Sequence, residues 1–304
     1  MEFFKTLKFM REKRNIPQNK MLNSKDSSQY SRIESGKAQL KLSTLLELTK
    51  KLGVSLTEFI QFSNVDQHSY QFAKEINYCI DNPDLTYEKQ QLLIKYKQLD
   101  QTHLSQMTLE DIAYYYTIKA MLSIHWNEVK APTTEEIENI FQQLIEKDFY
   151  SQYDYMLALN LIPYFKKIQI DTIAARMYPL EYPDKRTEKT KNYSSLLITN
   201  IISCLTYEMD YEAALKYVNI AQETSNLRDN YYFHLNILYH KNILLRFLEN
   251  DTKYIEKARE VIQIMIDIGD KKTAKQFLDE LNNLNTNPEY YKGVHNIPTV
   301  SIHK

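Results

Sequence analysis

Ser28-Gln29-Tyr30-Ser31-Arg32-Ile33-Glu34-Ser35-Gly36-Lys37 and Ser43-Thr44-Leu45-Leu46-Glu47-Leu48-Thr49-Lys50-Lys51-Leu52-Gly53-Val54-Ser55-Leu56-Thr57-Glu58-Phe59 are the two stretches whose reading decides the fold. In the first, Tyr30 and Ile33 fall on one face of a helix while Ser28, Gln29 and Arg32 fall on the other. Gly36 stands where a helix C-terminus favours a left-handed residue. In the second, Ser43 is placed to cap a helix running through Leu52, with Gly53 as its stop. Ser55 then caps a further helix holding Leu56, Phe59 and Ile60.

Working outward, Phe3, Leu7 and Met10 share an apolar face on the N-terminal helix, with Lys8, Arg11 and Arg14 pointing elsewhere. Pro17 suits the first turn of a short second helix. Asp26 is a candidate cap for a third helix, Ser27 to Glu34. Five short helices in about sixty residues make a globule built around a helix-turn-helix. The segment from Gln18 to Lys37 resembles the second and third helices of the Cro/C1-type (Xre) helix-turn-helix, although it is slightly shorter than that pattern. Residues 43–59 resemble that family's fourth and fifth helices almost residue for residue.

A recognition helix enters the major groove with its N-terminal residues toward the base edges. Ser27, Ser28, Gln29 and Arg32 occupy the matching exposed side. Glutamine can pair bidentately with adenine and arginine with guanine; a local ion pair with Glu34 is the other use open to Arg32. The resemblance implies that Gln18 meets the phosphate backbone. Arg11, Arg14 and Lys37 are expected to add sequence-independent attraction to phosphates. Charge agrees: residues 1–63 carry twelve Lys and Arg against six Asp and Glu, while the rest is acidic, so the whole balances to −1. A basic head on an acidic body points to a polyanion at the head alone.

The remainder reads as helix after helix. Only 4 glycines occur in 304 residues, which leaves almost no material for the tight turns and phosphate loops of Rossmann or P-loop folds. From Asp66 onward ten or eleven amphipathic segments are separated by breaks: 82–84, 130–133, 182–184, 226–229, 249–251 and 269–270. Thr133 with Glu136 is a capping box. Tyr211-Glu212-Ala213-Ala214-Leu215-Lys216 looks like the second helix of a tetratricopeptide (TPR) repeat, and Ala258 and Ala274 repeat the small-residue pattern. The expectation is an all-α chain: a five-helix DNA-binding domain (1–64), a TPR-like α-solenoid (65–285) and a C-terminal tail (286–304).

An Xre head before a TPR-like body resembles the RRNPP group of quorum-sensing regulators, and within it the Rgg/MutR branch. The likeness is carried by Asn230-Tyr231-Tyr232, Leu235-Asn236-Ile237, Phe247-Leu248-Glu249-Asn250-Asp251 and Ile268-Gly269-Asp270-Lys271-Lys272-Thr273-Ala274-Lys275-Gln276. It implies a transcription regulator controlled by a short, largely apolar signalling peptide in the concave face of the solenoid. Asparagine amides offer a donor and an acceptor to such a backbone. Asn160, Asn200 and Asn236 each interrupt an apolar helical stretch and are the candidates; a buried asparagine bonded to a neighbouring helix is the competing reading. Arg176 or Arg246 could clamp the peptide carboxylate, or be an ordinary surface arginine. Some Rgg members carry a cysteine early in the fourth helix that crosslinks two heads; the matching position here is Leu42, so dimerisation would rest on packing, including the C-terminal helices.

The partners expected are therefore double-stranded DNA with an inverted-repeat operator, the peptide, and a second copy of the chain. A phage- or plasmid-type Xre repressor controlled by a protein partner is the alternative, and a protein-binding TPR scaffold that has lost DNA binding is a third. No cofactor or metal is expected. His234 and His240 lie on different helix faces, the two cysteines (Cys79, Cys204) form no CxxC, and no hydrolase, kinase or dinucleotide motif occurs. No apolar run of about 18 residues and no signal-peptide core is present, so a cytoplasmic protein without membrane contact is expected.

Overall fold

A computed structural model describes residues 2–22, 27–63, 67–82, 84, 86–224 and 230–286. Among these, every regular element is an α-helix or a short 3-10 turn. The chain divides into two compact units, Met1–Glu75 and Ile76–Lys304, with the division inside a helix rather than at residue 64.

The first unit holds α1 (Phe3–Lys13), a 3-10 turn (Gln18–Lys20), α2 (Ser27–Glu34), α3 (Leu42–Leu52) and α4 (Leu56–Phe62). Leu7, Met10, Met21, Tyr30, Ile33, Leu45, Leu48, Leu52 and Phe59 form one buried cluster. The apolar faces read from the sequence are buried, and on α1 Arg11 is buried with them. Phe3 closes the cluster edge-on against Phe59, with ring centroids 4.9 Å apart. Gly36 and Gly53 take φ of 71° and 61°. At Gly53 an added Cβ would also lie 3.1 Å from the Arg14 guanidinium. Ser55 caps α4 by accepting the Glu58 N–H.

Two local expectations change, and a third lies beyond the described residues. The second helix is, among the described residues, a single 3-10 turn, and Pro17 precedes it in extended backbone. α3 starts at Leu42, with extended Lys41 at the cap and no side-chain bond there, so Ser43 lies inside the helix. The buried stripe Leu45, Leu48, Thr49 and Leu52 sets this helix without help from a cap. The proposed cap Asp26 lies outside the described residues.

α5 (Gln67–Asp81) spans the division between the units, and the second unit continues through α6 (Thr86–Asp100), α7 (Leu109–Leu122), α8 (Thr134–Ile145), α9 (Gln152–Leu161), α10 (Lys167–Met177), α11 (Glu188–Tyr207), α12 (Tyr211–Thr224), α13 (Tyr231–Leu248), α14 (Lys253–Asp267) and α15 (Lys271–Thr286). Starts are capped by Thr108 with Asp111, Thr133 with Glu136 and Ser151 with Asp154, all reciprocal capping boxes. Burial sorts the helices into two layers. α8 buries only Ile137, Ile140, Phe141 and Leu144, and α12 only Ala214, Tyr217, Val218 and Ala221, the one-sided 3.6-residue pattern of an outer helix. α9 instead buries every residue from Asp154 to Leu161, and α11 every residue from Leu197 to Thr206. α7, α9, α11 and α13 pack in succession as the inner layer. Ala214, Ala258 and Ala274 are buried, allowing the close helix approach that the repeat pattern anticipates. The C-terminal core centres on Tyr239 stacked on Phe277 at 4.0 Å, with Ile262, Met265 and Leu281 around it. The break at 226–229 and the tail from 287 on lie outside the described residues.

Candidate functional site

On α2 the buried side is Tyr30, Ile33 and Glu34, and the exposed side carries Ser28, Gln29, Ser31 and Arg32. Ser27 begins the helix. Arg14 and Lys37 are also exposed. Arg32 forms no ion pair with Glu34, whose carboxylate is engaged elsewhere.

That engagement corrects the reading of Arg11. Its side chain is 10% exposed and grips Glu34 in a bidentate pair, Nε to Oε1 at 2.5 Å and Nη2 to Oε2 at 3.1 Å. Nη1 donates to the Ile16 carbonyl at 3.0 Å. Gln18 Nε2 donates to the same carboxylate at 2.7 Å. Arg11 therefore ties the end of α2 to α1 from inside and is not a free cation for phosphate, and Gln18 is partly committed to the same group. Burial alone would raise the Glu34 carboxyl; the bonds from Arg11 and Gln18, with the nearby Tyr30 hydroxyl, outweigh it and hold it below the usual carboxylate range. The bond to Glu34 raises the Arg11 guanidinium in turn, so both stay charged.

In the body, Asn160, Asn200 and Asn236 lie on α9, α11 and α13, three successive inner helices, and are 2%, 3% and 1% exposed. Asn160 Nδ2 donates to Thr117 Oγ1 on α7 at 3.0 Å and to the Met156 carbonyl at 2.9 Å. Asn200 Nδ2 donates at 3.0 Å to the carbonyl of Leu159, next to Asn160. Asn236 Nδ2 donates to Tyr232 O of its own helix. Two of the three thus hold neighbouring helices together. Yet Oδ1 of Asn200 and of Asn236 accepts no hydrogen bond among the described residues, a half-satisfied state that costs about 1–3 kcal/mol per group.

The two arginine candidates are not brought to this row. Arg176 sits on outer helix α10, where Nε meets Tyr150 Oη at 3.1 Å, Nη2 meets the Lys147 carbonyl at 3.1 Å and Asp148 lies 3.6 Å away. Arg246, near the end of α13, donates to Asn250 Oδ1 at 2.9 Å. Each guanidinium is taken up by helix-end groups of its own neighbourhood. Sequence reasoning missed Thr117, a polar break in the apolar run of α7, and weighed His240 only as a metal ligand. The His240 imidazole is buried, its Nε2 has no partner among the described residues, and burial pushes it down to about 4.

Two family profiles match the chain: a helix-turn-helix over residues 7–59 and the C-terminal domain of the HTH-type transcriptional regulator Rgg over residues 90–279. The chain belongs to the Rgg family of transcriptional regulators. Rgg proteins regulate transcription and are not enzymes. No curated protein matches this Rgg chain in sequence. Solved structures share its fold at low identity. A PrgX variant superposes with a TM-score of 0.75 at 17% identity, covering 95% of each chain. A bacterial peptide pheromone/receptor complex gives 0.73 at 18%, covering 96% of this chain and 98% of the other. The pheromone receptor Rgg2 of Streptococcus dysgalactiae gives 0.71 at 18%, covering 92% and 99%. Among the described residues no helix is long and apolar enough to cross a membrane, and no group of three or more His, Cys, Asp or Glu side chains is placed to hold a metal.

Proposed function

We propose that this Rgg regulator acts in the cytoplasm as a homodimer, binds an inverted-repeat operator through α2, and is switched by a short apolar signalling peptide held along the inner helices. Ser27, Ser28, Gln29 and Arg32 would read base edges, with Arg14, Gln18 and Lys37 steadying the duplex through its phosphates. Two-fold symmetry would set the half-sites about one helical turn apart.

The observation that carries the peptide reading is Asn160, Asn200 and Asn236, buried on consecutive inner helices, with the Oδ1 of Asn200 and of Asn236 unpaired among the described residues. An extended peptide backbone has N–H groups to satisfy such oxygens, and its apolar side chains suit the surrounding leucines and isoleucines. The solved pheromone/receptor complex of the same fold supports a peptide as the ligand class. Titration of the purified protein with short apolar peptides encoded beside its gene, read by fluorescence polarisation, tests this. One peptide should bind at micromolar or tighter concentration, and Asn236→Ala should weaken it without unfolding the protein. Silence across all such peptides would overturn the peptide reading in favour of control by a protein partner.

A further inference from the structure

In a stack of helix hairpins each unit touches its neighbours, and long-range bonds of the body follow that rule. Tyr217 Oη donates to Asp171, 46 residues back, and Tyr164 Oη donates to the Ala120 carbonyl, 44 back. Lys272 breaks the pattern. From the first turn of α15 its Nζ donates to Asp81 Oδ2, at the end of α5, at 2.6 Å across 191 residues. Through this pair the last described helix reaches back to the first helix of the body.

The inner layer is closed to solvent along part of its length. The unbroken burial along α9 and α11 leaves no inner face open to solvent over those stretches. Asn200 lies within the buried stretch of α11 and Asn236 is buried on α13, and the Oδ1 of each accepts no hydrogen bond among the described residues. These groups can meet a ligand only if the layer opens.

We infer that the Asp81–Lys272 ion pair is a latch that holds the helical body shut over Asn200 and Asn236, and that its rupture governs how fast a peptide reaches them. This rests on the peptide reading above. The pair has the properties a latch needs. Its side chains are 48% and 46% exposed, so water and salt screen it and it opens at little cost. The Lys119–Glu136 pair, whose lysine is only 5% exposed, is by contrast a fixed strut. Asp81 is the last residue of α5, and Lys272 lies in the first turn of α15, so the pair links the two ends of the described body.

The test uses the full chain with Lys272→Gln or Asp81→Asn, and the exchanged pair Asp81→Lys with Lys272→Asp. Amide hydrogen exchange without peptide should accelerate at the C-terminal end of α5 and the N-terminal end of α15 by about 1.5- to 5-fold, the range an exposed ion pair commands. For a peptide that binds, the association rate should rise by the same factor with the dissociation rate unchanged, and the exchanged pair should restore both readouts. Unchanged exchange overturns the latch whether or not any peptide binds. Faster exchange without faster association, or a change confined to dissociation, overturns its gating role. Failure of every peptide to bind the unaltered protein overturns the peptide reading and gating with it, while the exchange measurement still decides closure.

Discussion

Replacing Arg11 separates a structural from a DNA-contacting arginine. Arg11→Ala leaves Glu34, whose side chain is 3% exposed, without its bidentate partner and leaves the Ile16 carbonyl without a donor. Breaking a buried pair from one side costs about 3–5 kcal/mol. A head of some sixty residues has little stability to spare at that scale, so α2 should undock and operator binding should fall with it. The protein's one tryptophan, Trp126, is in the body, so its fluorescence will not report the loss. Amide exchange along α2, together with operator binding across a salt series, is the suitable assay. The double change Arg11→Met with Glu34→Leu should recover most of the stability, since well-packed apolar replacements of a buried pair are neutral or stabilising by about 1–4 kcal/mol. The recovered protein should bind DNA with the original salt slope. An Arg11→Ala protein with normal α2 protection but a salt slope reduced by about one phosphate contact would refute this account and return Arg11 to the DNA surface. The pH dependence has a definite sign. Glu34 is held below its unfolded value, near 4.3, so its contribution is complete above that pH and drains away as pH falls through the lower folded value.

Arg32→Ala should cost about 1–3 kcal/mol of operator affinity and relax preference at one base pair, whereas Lys37→Ala should weaken all sequences alike; equal effects on operator and random DNA would remove Arg32 from base reading. Gly53→Ala should destabilise the head by roughly 1–2 kcal/mol, because its φ of 61° is left-handed and the new Cβ meets Arg14; an unchanged thermal midpoint for the head would contradict this. His240 is held neutral by burial down to about 4. The unfolded chain takes up a proton near 6.5, so the body should lose about 3 kcal/mol between pH 6.5 and 4. His240→Leu should flatten that slope in urea unfolding followed by Trp126 fluorescence, and an unaltered slope would show that other groups set it.

What the sequence determined by itself is everything governed by near neighbours along the chain. Four of the five head helices, the left-handed glycines at 36 and 53, the Ser55 cap and the Thr133–Glu136 box depend on interactions within one or two turns and were legible. So was the buried side of α2, since Tyr30 and Ile33 sit one turn apart. The expected second helix, by contrast, is a single 3-10 turn among the described residues, and Ser43 is no cap. The asparagines on α9, α11 and α13 stood out as polar breaks in apolar runs, but only folding brought Asn200 to the carbonyl of Leu159, 41 residues away and next to Asn160. Arg11 misled for the same reason. A helical pattern says which way an arginine leaves its own helix, and nothing in it announces a carboxylate 23 residues later that makes burial cheaper than exposure. Lys272 and Asp81 are ordinary surface charges in the sequence. Only the path of the whole body brings them together, because the small rotation added at each helix pair accumulates over the 191 residues between them.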